Sequence, residues 1–281
     1  MGRPFDIPST PPLADQHGAA YTELVSLMRR LLAPDGCPWD REQDYRSLRR
    51  YVLEEACEVI DAIDAGDFDA LREELGDLAL QVVFLGELAR REGRFGPDDV
   101  ILGIVEKLVR RHPHVFGDEK VEGSAEVLNN WELIKATEKV GRGVLDGVPR
   151  ALPALQRSER IGEKVSRVGF DWPDGRGSRE KVSEELRELD EAIAGGDKRR
   201  VEAELGDLLF ALVNLARHEG VDPEAALRAT SDRFARRFAH VEARVKEHHG
   251  GWPRGEDGKP RAGIPLEVLD GYWNEAKREE P

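Results

Sequence analysis

Two copies of a four-residue acidic motif carry the chemistry this sequence offers. Glu204-Leu205-Gly206-Asp207 opens the apolar run Leu208-Leu209-Phe210-Ala211-Leu212-Val213, and Glu74-Leu75-Gly76-Asp77 opens Leu78–Leu85. With Glu74 at zero on a helical wheel, Asp77 falls at about 300°, Phe84 at about 280°, Leu88 at about 320° and Leu85 at about 20°. Glu204 and Asp207 likewise share a face with Ala211 and Leu215. The spacing predicts that both carboxylates of each pair leave the helix on the side it buries. Burying two ionised carboxylates without partners costs many kcal/mol, so something cationic must meet them, and a divalent metal ion is the natural candidate.

An acidic helix precedes each motif. Leu53-Glu54-Glu55-Ala56-Cys57-Glu58 is answered by Ser183-Glu184-Glu185-Leu186-Arg187-Glu188. Glu185 and Glu188 fall about 60° apart and border the stripe Val182, Leu186, Leu189 and Ile193; Glu55 and Glu58 stand in the same relation to Val59, Ile60 and Ile63. A tight turn at Gly195-Gly196-Asp197 would fold two helices antiparallel and bring Glu185 and Glu188 opposite Glu204 and Asp207. Hard carboxylates without Cys or His select Mg²⁺ or Mn²⁺ over zinc. A di-iron bundle would supply a Glu-x-x-His pair, and neither acidic helix has one. A single ExxE is most often a solvated helix face. The full set, recurring with one pair on an apolar face, reads as a metal site.

These elements have to be placed twice, because the chain is a duplication. The acidic positions 54, 55, 58, 74 and 77 reappear at 184, 185, 188, 204 and 207, each shifted by 130. Upstream, Gly36-Cys37-Pro38-Trp39 is echoed by Gly169-Phe170-Asp171-Trp172; downstream, Lys107-Leu108-Val109-Arg110-Arg111 matches Arg233-Phe234-Ala235-Arg236-Arg237. Helical periodicity covers Tyr21–Leu32, Arg46–Asp64, Asp69–Arg91, Pro97–Arg111 and Ala125–Thr137 in the first half. In the second it covers Leu152–Val165, Arg179–Ala194, Lys198–His218, Pro223–Glu247 and Leu266–Arg278. Asp67 and Asp197 are placed as N-caps, and Pro97 and Pro223 as first-turn residues. The expected fold is all-α, with a loose N-terminal arm over 1–19, a first domain over 20–140, a linker over 141–153 and a second domain over 154–281. Gly250–Pro265, rich in Gly and Pro, is expected to be a mobile loop.

Composition narrows the function. The 281 residues are 40% hydrophobic and 35% charged, with a formal net charge of −14. That charge argues against a polynucleotide as the main partner, but not against a small phosphate ligand that arrives with its own metal. No apolar run reaches membrane-spanning length, and the start has no secretory h-region. Cys37 and Cys57, without CxxC spacing, fit a reduced cytoplasm, and Cys57 is expected in core packing.

The pattern EExxE followed about sixteen residues later by ExxD resembles the MazG nucleotide pyrophosphohydrolases of the all-α NTP pyrophosphatase superfamily. Gly36-Cys37-Pro38-Trp39-Asp40, the segment Arg110–Phe116 and Val168–Trp172 together resemble its two-domain bacterial members. The resemblance implies Mg²⁺-dependent hydrolysis of nucleoside triphosphates, ribo- and deoxyribo-, to monophosphate and pyrophosphate in nucleotide-pool housekeeping. It also implies a homodimer whose four-helix-bundle cores assemble from paired hairpins. Carried over residue by residue, it makes Glu185, Glu188, Glu204 and Asp207 metal ligands, with Glu55, Glu58, Glu74 and Asp77 as their first-half equivalents. Glu184 and Glu54 are placed to orient or deprotonate the attacking water.

A triphosphate also needs protein cations. Arg233 and Arg237 are one turn apart, as are Lys107 and Arg111. The family often carries Lys where this chain has Arg233 and Arg200; charge is kept and geometry is not. Trp273 and Lys277 share a face, where a ring can stack on a base while the lysine meets phosphate, and Trp131 and Lys135 repeat the step. The bland reading of the arginines is salt bridging, and of His112 and His114 a turn around Pro113. Every acidic position is kept in both halves; the fuller resemblance of the second half to the catalytic pattern, including Arg233, Arg237, Trp273 and Lys277, implies that it is the principal catalyst. A nucleotide-binding regulatory module without turnover, and an enzyme confined to dUTP or to a phosphoribosyl-ATP intermediate, stay open.

Overall fold

The computed structural model describes residues 10–16, 18–124, 126, 127, 130, 131, 141, 143–255, 257–259 and 261–279. Among them every regular element is helical and no β-strand occurs. The chain divides into two compact units, residues 1–140 and 141–281. After a 3₁₀ turn at Leu13–Asp15, the first unit contains α1 (Ala20–Leu31), α2 (Pro38–Glu42), α3 (Tyr45–Ala65), α4 (Phe68–Arg91), α5 (Pro97–Arg111) and α6 (Pro113–Phe116). The second contains α7 (Ala154–Ser166), α8 (Gly175–Gly195), α9 (Lys198–His218), α10 (Pro223–His249) and α11 (Leu266–Glu279). Most of the helix expected over 125–137, with Lys135, lies outside the described residues.

Each unit is built on one helical hairpin, and its turn is written in two residues. Gly66 and Gly196 end α3 and α8 in the left-handed region, at φ 67° and 71°, where only glycine sits without strain. The next residue caps the following helix. Asp67 accepts from the backbone N–H groups of Asp69 and Ala70, both at 3.0 Å, and Asp197 from those of Arg199 and Arg200 at 3.0 and 3.5 Å. A turn this short leaves the two helices no arrangement but antiparallel neighbours. Helix α8 starts earlier than its apolar periodicity indicates, because Asp174 accepts from the backbone N–H of Arg176 and caps an added turn.

In the first unit α1 closes over the hairpin, and Val25, Met28, Leu32, Leu48, Val83, Phe84 and Leu88 form a buried cluster. Glu87, fully buried, is held between Arg29 Nε at 2.8 Å and Arg90 Nε at 2.7 Å, so its charge is matched where water is absent. The second unit buries Leu189, Ala192, Ala211, Val213, Val241, Val245 and Ala276. Its leading segment is tied down: Lys164 Nζ donates to the carbonyls of Val144 and Asp146 at 3.3 and 2.9 Å. Among the described residues of 250–265, Arg261 N–H donates to Pro253 O at 2.7 Å and Trp252 stacks 6.0 Å from Phe238 of α10.

The stripes expected to be buried are only half covered within one chain. Leu189 is buried, but Leu186 and Ile193 are 50% and 58% exposed; Ile60, Ile63, Leu75 and Leu205 are also exposed. Along α5 the only buried residue is Pro97. A hairpin covers one side of each of its helices, and these side chains occupy another. The same geometry corrects the reading of Cys57, which is exposed rather than in the core.

Candidate metal centre

The turn geometry sets α8 against α9 so that carboxylate oxygens of Glu185, Glu188 and Glu204 converge within 4.8 Å of one another. Glu55, Glu58 and Glu74 do the same between α3 and α4. Glu185 is buried, and Glu188 and Glu204 are half-buried. Oxygen donors alone, several of them charged and partly desolvated, suit a hard divalent cation. The residues present therefore fit a metal of the Mg²⁺ type.

Asp77 and Asp207 stand differently from the wheel projection. Both are exposed, outside the converging set. Three residues along α9 turn Asp207 about 60° from Glu204, onto the uncovered side of the hairpin. Asp77 still bears on its site, because its charge is among those acting on Glu55. Burial, then the charges of Asp77, Glu58, Glu54 and Glu74, push the Glu55 carboxyl up; burial, then Glu58, Glu73 and Asp77, push Glu74 up. The Glu55 and Glu74 carboxyls thus each feel a neighbourhood of negative charge.

The second-half cluster has a cation built in. Lys181 Nζ lies 2.6 Å from Glu185 and 3.1 Å from Glu184, and hydrogen bonds to Glu185, then Glu184, hold the ammonium well above its ordinary range. Arg200 Nε reaches Glu204 at 3.4 Å, with Glu191 at 3.9 Å from its Nη2. The repeat places Tyr51 and Ala70 at the matching first-half positions. Lys181 was not picked out from the sequence. Its signal, a lysine one turn ahead of a glutamate, is also that of an ordinary surface ion pair, and only the partner's membership of the cluster distinguishes it.

The remaining predicted residues form a second group along α10 and α11. Arg233 donates to Thr230 Oγ1 at 3.1 Å. The Arg237 guanidinium lies 5.7 Å from the Trp273 ring centre, and Phe234 packs 4.8 Å from the same ring. Trp273 is therefore partly engaged by its own chain, while Lys277 is exposed. In the first unit Arg111 lies 5.7 Å from the Trp131 ring centre, so the cation–ring step recurs. His112 Nδ1 donates to Leu108 O at 2.6 Å, and its ring lies tilted 5.6 Å from that of His114, a helix-end arrangement rather than a ligand set.

The fold and site are those of an all-α hairpin protein with two carboxylate clusters whose donors suit a divalent cation. The MazG nucleotide pyrophosphohydrolase domain matches twice, over residues 43–116 and 177–242, each match spanning one acidic hairpin. A protein of Thermotoga maritima named nucleoside triphosphate pyrophosphohydrolase/pyrophosphatase MazG is 45% identical over 262 residues, covering 92% of this chain and 96% of its own. The nucleoside triphosphate pyrophosphohydrolase of Escherichia coli is 45% identical over 263 residues, covering 92% and 97%. That of Mycobacterium tuberculosis is 38% identical over 157 residues, covering 55% and 47%. The chain belongs to the MazG nucleotide pyrophosphohydrolase family.

Proposed function

We propose that the chain hydrolyses nucleoside triphosphates, ribo- and deoxyribo-, to monophosphate and pyrophosphate, with Mg²⁺, or Mn²⁺ in its place. The observation that carries this reading is the convergence of Glu185, Glu188 and Glu204 beside Lys181 and Arg200. Carboxylates and cations side by side suit a ligand that is itself a polyanion carrying a metal. Glu185, Glu188 and Glu204 would hold the ion, with Asp207 completing the set from the exposed side. When bound, the ion neutralises triphosphate charge and acidifies water. Lys181 and Arg200 each have a carboxylate to leave and a phosphate oxygen to take up. Glu184, next to a ligand and hydrogen-bonded to Lys181, accepts the proton of the attacking water once Lys181 turns to phosphate. Arg233, Arg237, Trp273 and Lys277 supply the flank along α10 and α11, with Lys135 proposed to serve the first half. Catalysis rests on position and charge, with no covalent intermediate.

The second half is the principal catalyst in this reading, because the first-half cluster has neither local cation. Glu55, Glu58, Glu74 and Asp77 keep the ligand set there and bind metal. The active form is a homodimer, in which a second copy covers the apolar faces of α3, α4, α8 and α9 and completes four-helix cores. Neither a polynucleotide nor a membrane is a partner, and the setting is the cytoplasm; among the described residues no helix is long and apolar enough to cross a membrane. The test is chromatography of products from each common rNTP and dNTP, with and without Mg²⁺. Monophosphate and pyrophosphate appearing only with metal, lost in Glu185→Gln and kept in Glu55→Gln, support the reading. Diphosphate and phosphate would overturn it; loss in Glu55→Gln alone would move catalysis to the first half.

A further inference from the structure

The loop Val168–Trp172 forms one wall of a cavity of about 450 Å³ in the second unit, a volume usual for small-molecule sites. Phe170, Trp172 and Phe210 supply aromatic surface, Ile161 and Val165 of α7 an aliphatic side, and Asn214 a polar group. Phe210 lies one turn and Asn214 two turns beyond Asp207, so Asn214 sits about 10 Å further along α9. That span matches the reach from the phosphates to the base of an extended nucleoside triphosphate.

The first unit shows what this junction is like when it is closed. The repeat that equates Gly36 with Gly169 and Trp39 with Trp172 also equates Arg29, Met28 and Leu32 with Gly162, Ile161 and Val165. The hairpin repeat equates Phe84 and Glu87 with Asn214 and Arg217. In the first unit Phe84, Met28 and Leu32 are packed together in the core, and Arg29 seals Glu87. In the second, Gly162 lets Arg217 and Asn214 approach the backbone of α7; a Cβ there would come within 3.1 Å of Arg217 Nε and 3.4 Å of Asn214 Oδ1. Arg217 bridges Asn214 and the loop along the wall of the hollow, its Nη2 2.6 Å from Asp171, which His218 Nε2 also meets at 3.1 Å. A core phenylalanine has been exchanged for an amide, and a packed junction for a hollow.

We propose that this hollow seats the nucleobase of the substrate and that Asn214 reads the base edge; the proposal rests on the nucleoside triphosphate reading above. Asn214 Oδ1 accepts from Arg217 Nε and Nη2 at 3.0 and 2.7 Å, which fixes the amide orientation. Its N–H groups are left to donate, so the seat favours a ring nitrogen or carbonyl acceptor on the base. Phe170 and Trp172 provide faces on which any base can stack. Gly177 sets the Trp172 ring in place, since a Cβ at 177 would drive into that ring.

The test compares, by calorimetry with Mg²⁺ on the full chain, an α,β-imido nucleoside triphosphate with the same compound lacking its base. Asn214→Ala is expected to weaken the nucleotide analogue about tenfold, the loss of one buried hydrogen bond, and to leave the baseless analogue unchanged. Asn214→Asp, of the same shape but without donors, is expected to weaken it at least as much, and serves if Asn214→Ala does not fold. Equal losses for both analogues would mean that the cavity only supports the fold and would overturn the seat. So would wild-type protein that binds the two analogues equally, with pyrophosphohydrolysis intact. A change of assembly mass in either variant would assign the hollow to a subunit contact instead. Wild-type protein that binds neither analogue would bring down the triphosphate reading itself.

Discussion

Lys181 shows how a single side chain separates two otherwise matching sites. It neutralises Glu185 and Glu184 in the second half, and Tyr51 stands at its place in the first. Lys181→Ala is therefore expected to tighten binding of free Mg²⁺ at the second-half cluster while lowering kcat/KM about tenfold or more, as calorimetry and steady-state turnover would register. Weaker metal binding in the variant would show that the ammonium does not compete for the carboxylates. Asp171 provides a second residue-scale prediction. Burial alone would raise its carboxyl, but hydrogen bonds and charge from Arg217, then His218, outweigh burial and hold it below the usual range. Stability from a depressed carboxylate is present above its unfolded value and is lost as pH falls through the folded one. The stability gap between wild type and Asp171→Asn, followed by urea denaturation at pH values below the imidazole range, should close as pH falls below about 4. A gap that opens on acidification would refute this assignment. The converging glutamates were legible from residue types and a repeat. The side on which Asp77 and Asp207 lie was not, because a wheel gives angles around one helix and not which angles are covered.

Helices and their turns were the most legible level. Pro97 and Pro223 open their helices, and Asp67 and Asp197 cap theirs, where the sequence places them. These features are local, set by side chains within three or four residues of the backbone they serve. Both caps hold the entry to an acidic helix, so losing one frays the end that orients the cluster. Asp67→Ala and Asp197→Ala are each expected to cost about 1 kcal/mol, the first slightly more because both its hydrogen bonds are short. Chemical denaturation checks the size, and no loss at either position would mean that water caps these helices equally well. What sequence did not reveal at this level is the short helices Pro38–Glu42 and Pro113–Phe116, too brief to carry a periodicity. Nor did it reveal the cavity beside α7. That hollow depends on Gly162 and Asn214 meeting across 52 positions, and neither residue signals alone.

At the scale of the whole molecule, duplication has allowed two copies of one hairpin to diverge. The first closes its α1–α4 junction with Phe84, Met28 and an Arg29–Glu87 pair; the second keeps a hollow and adds cations to its acidic cluster. The duplication itself was fully legible, since a fixed offset of acidic positions does not need structure to be seen. The uncovered faces were not: apolar spacing says that a stripe seeks cover, and only packing says whether its own chain supplies it. Leu53, Ile63 and Leu102 in the first unit, and Leu186 and Ile193 in the second, are each at least half exposed, large apolar side chains of the kind a partner covers. If a second copy covers them, the free energy that holds the fold is shared between two molecules rather than owned by one. Dilution then acts as a denaturant. A hundredfold lower protein concentration should reduce Tm by several degrees, following mass action at about 1.4 kcal/mol per tenfold. A melting temperature independent of concentration would instead describe a chain that is self-sufficient, and would leave those side chains without a partner.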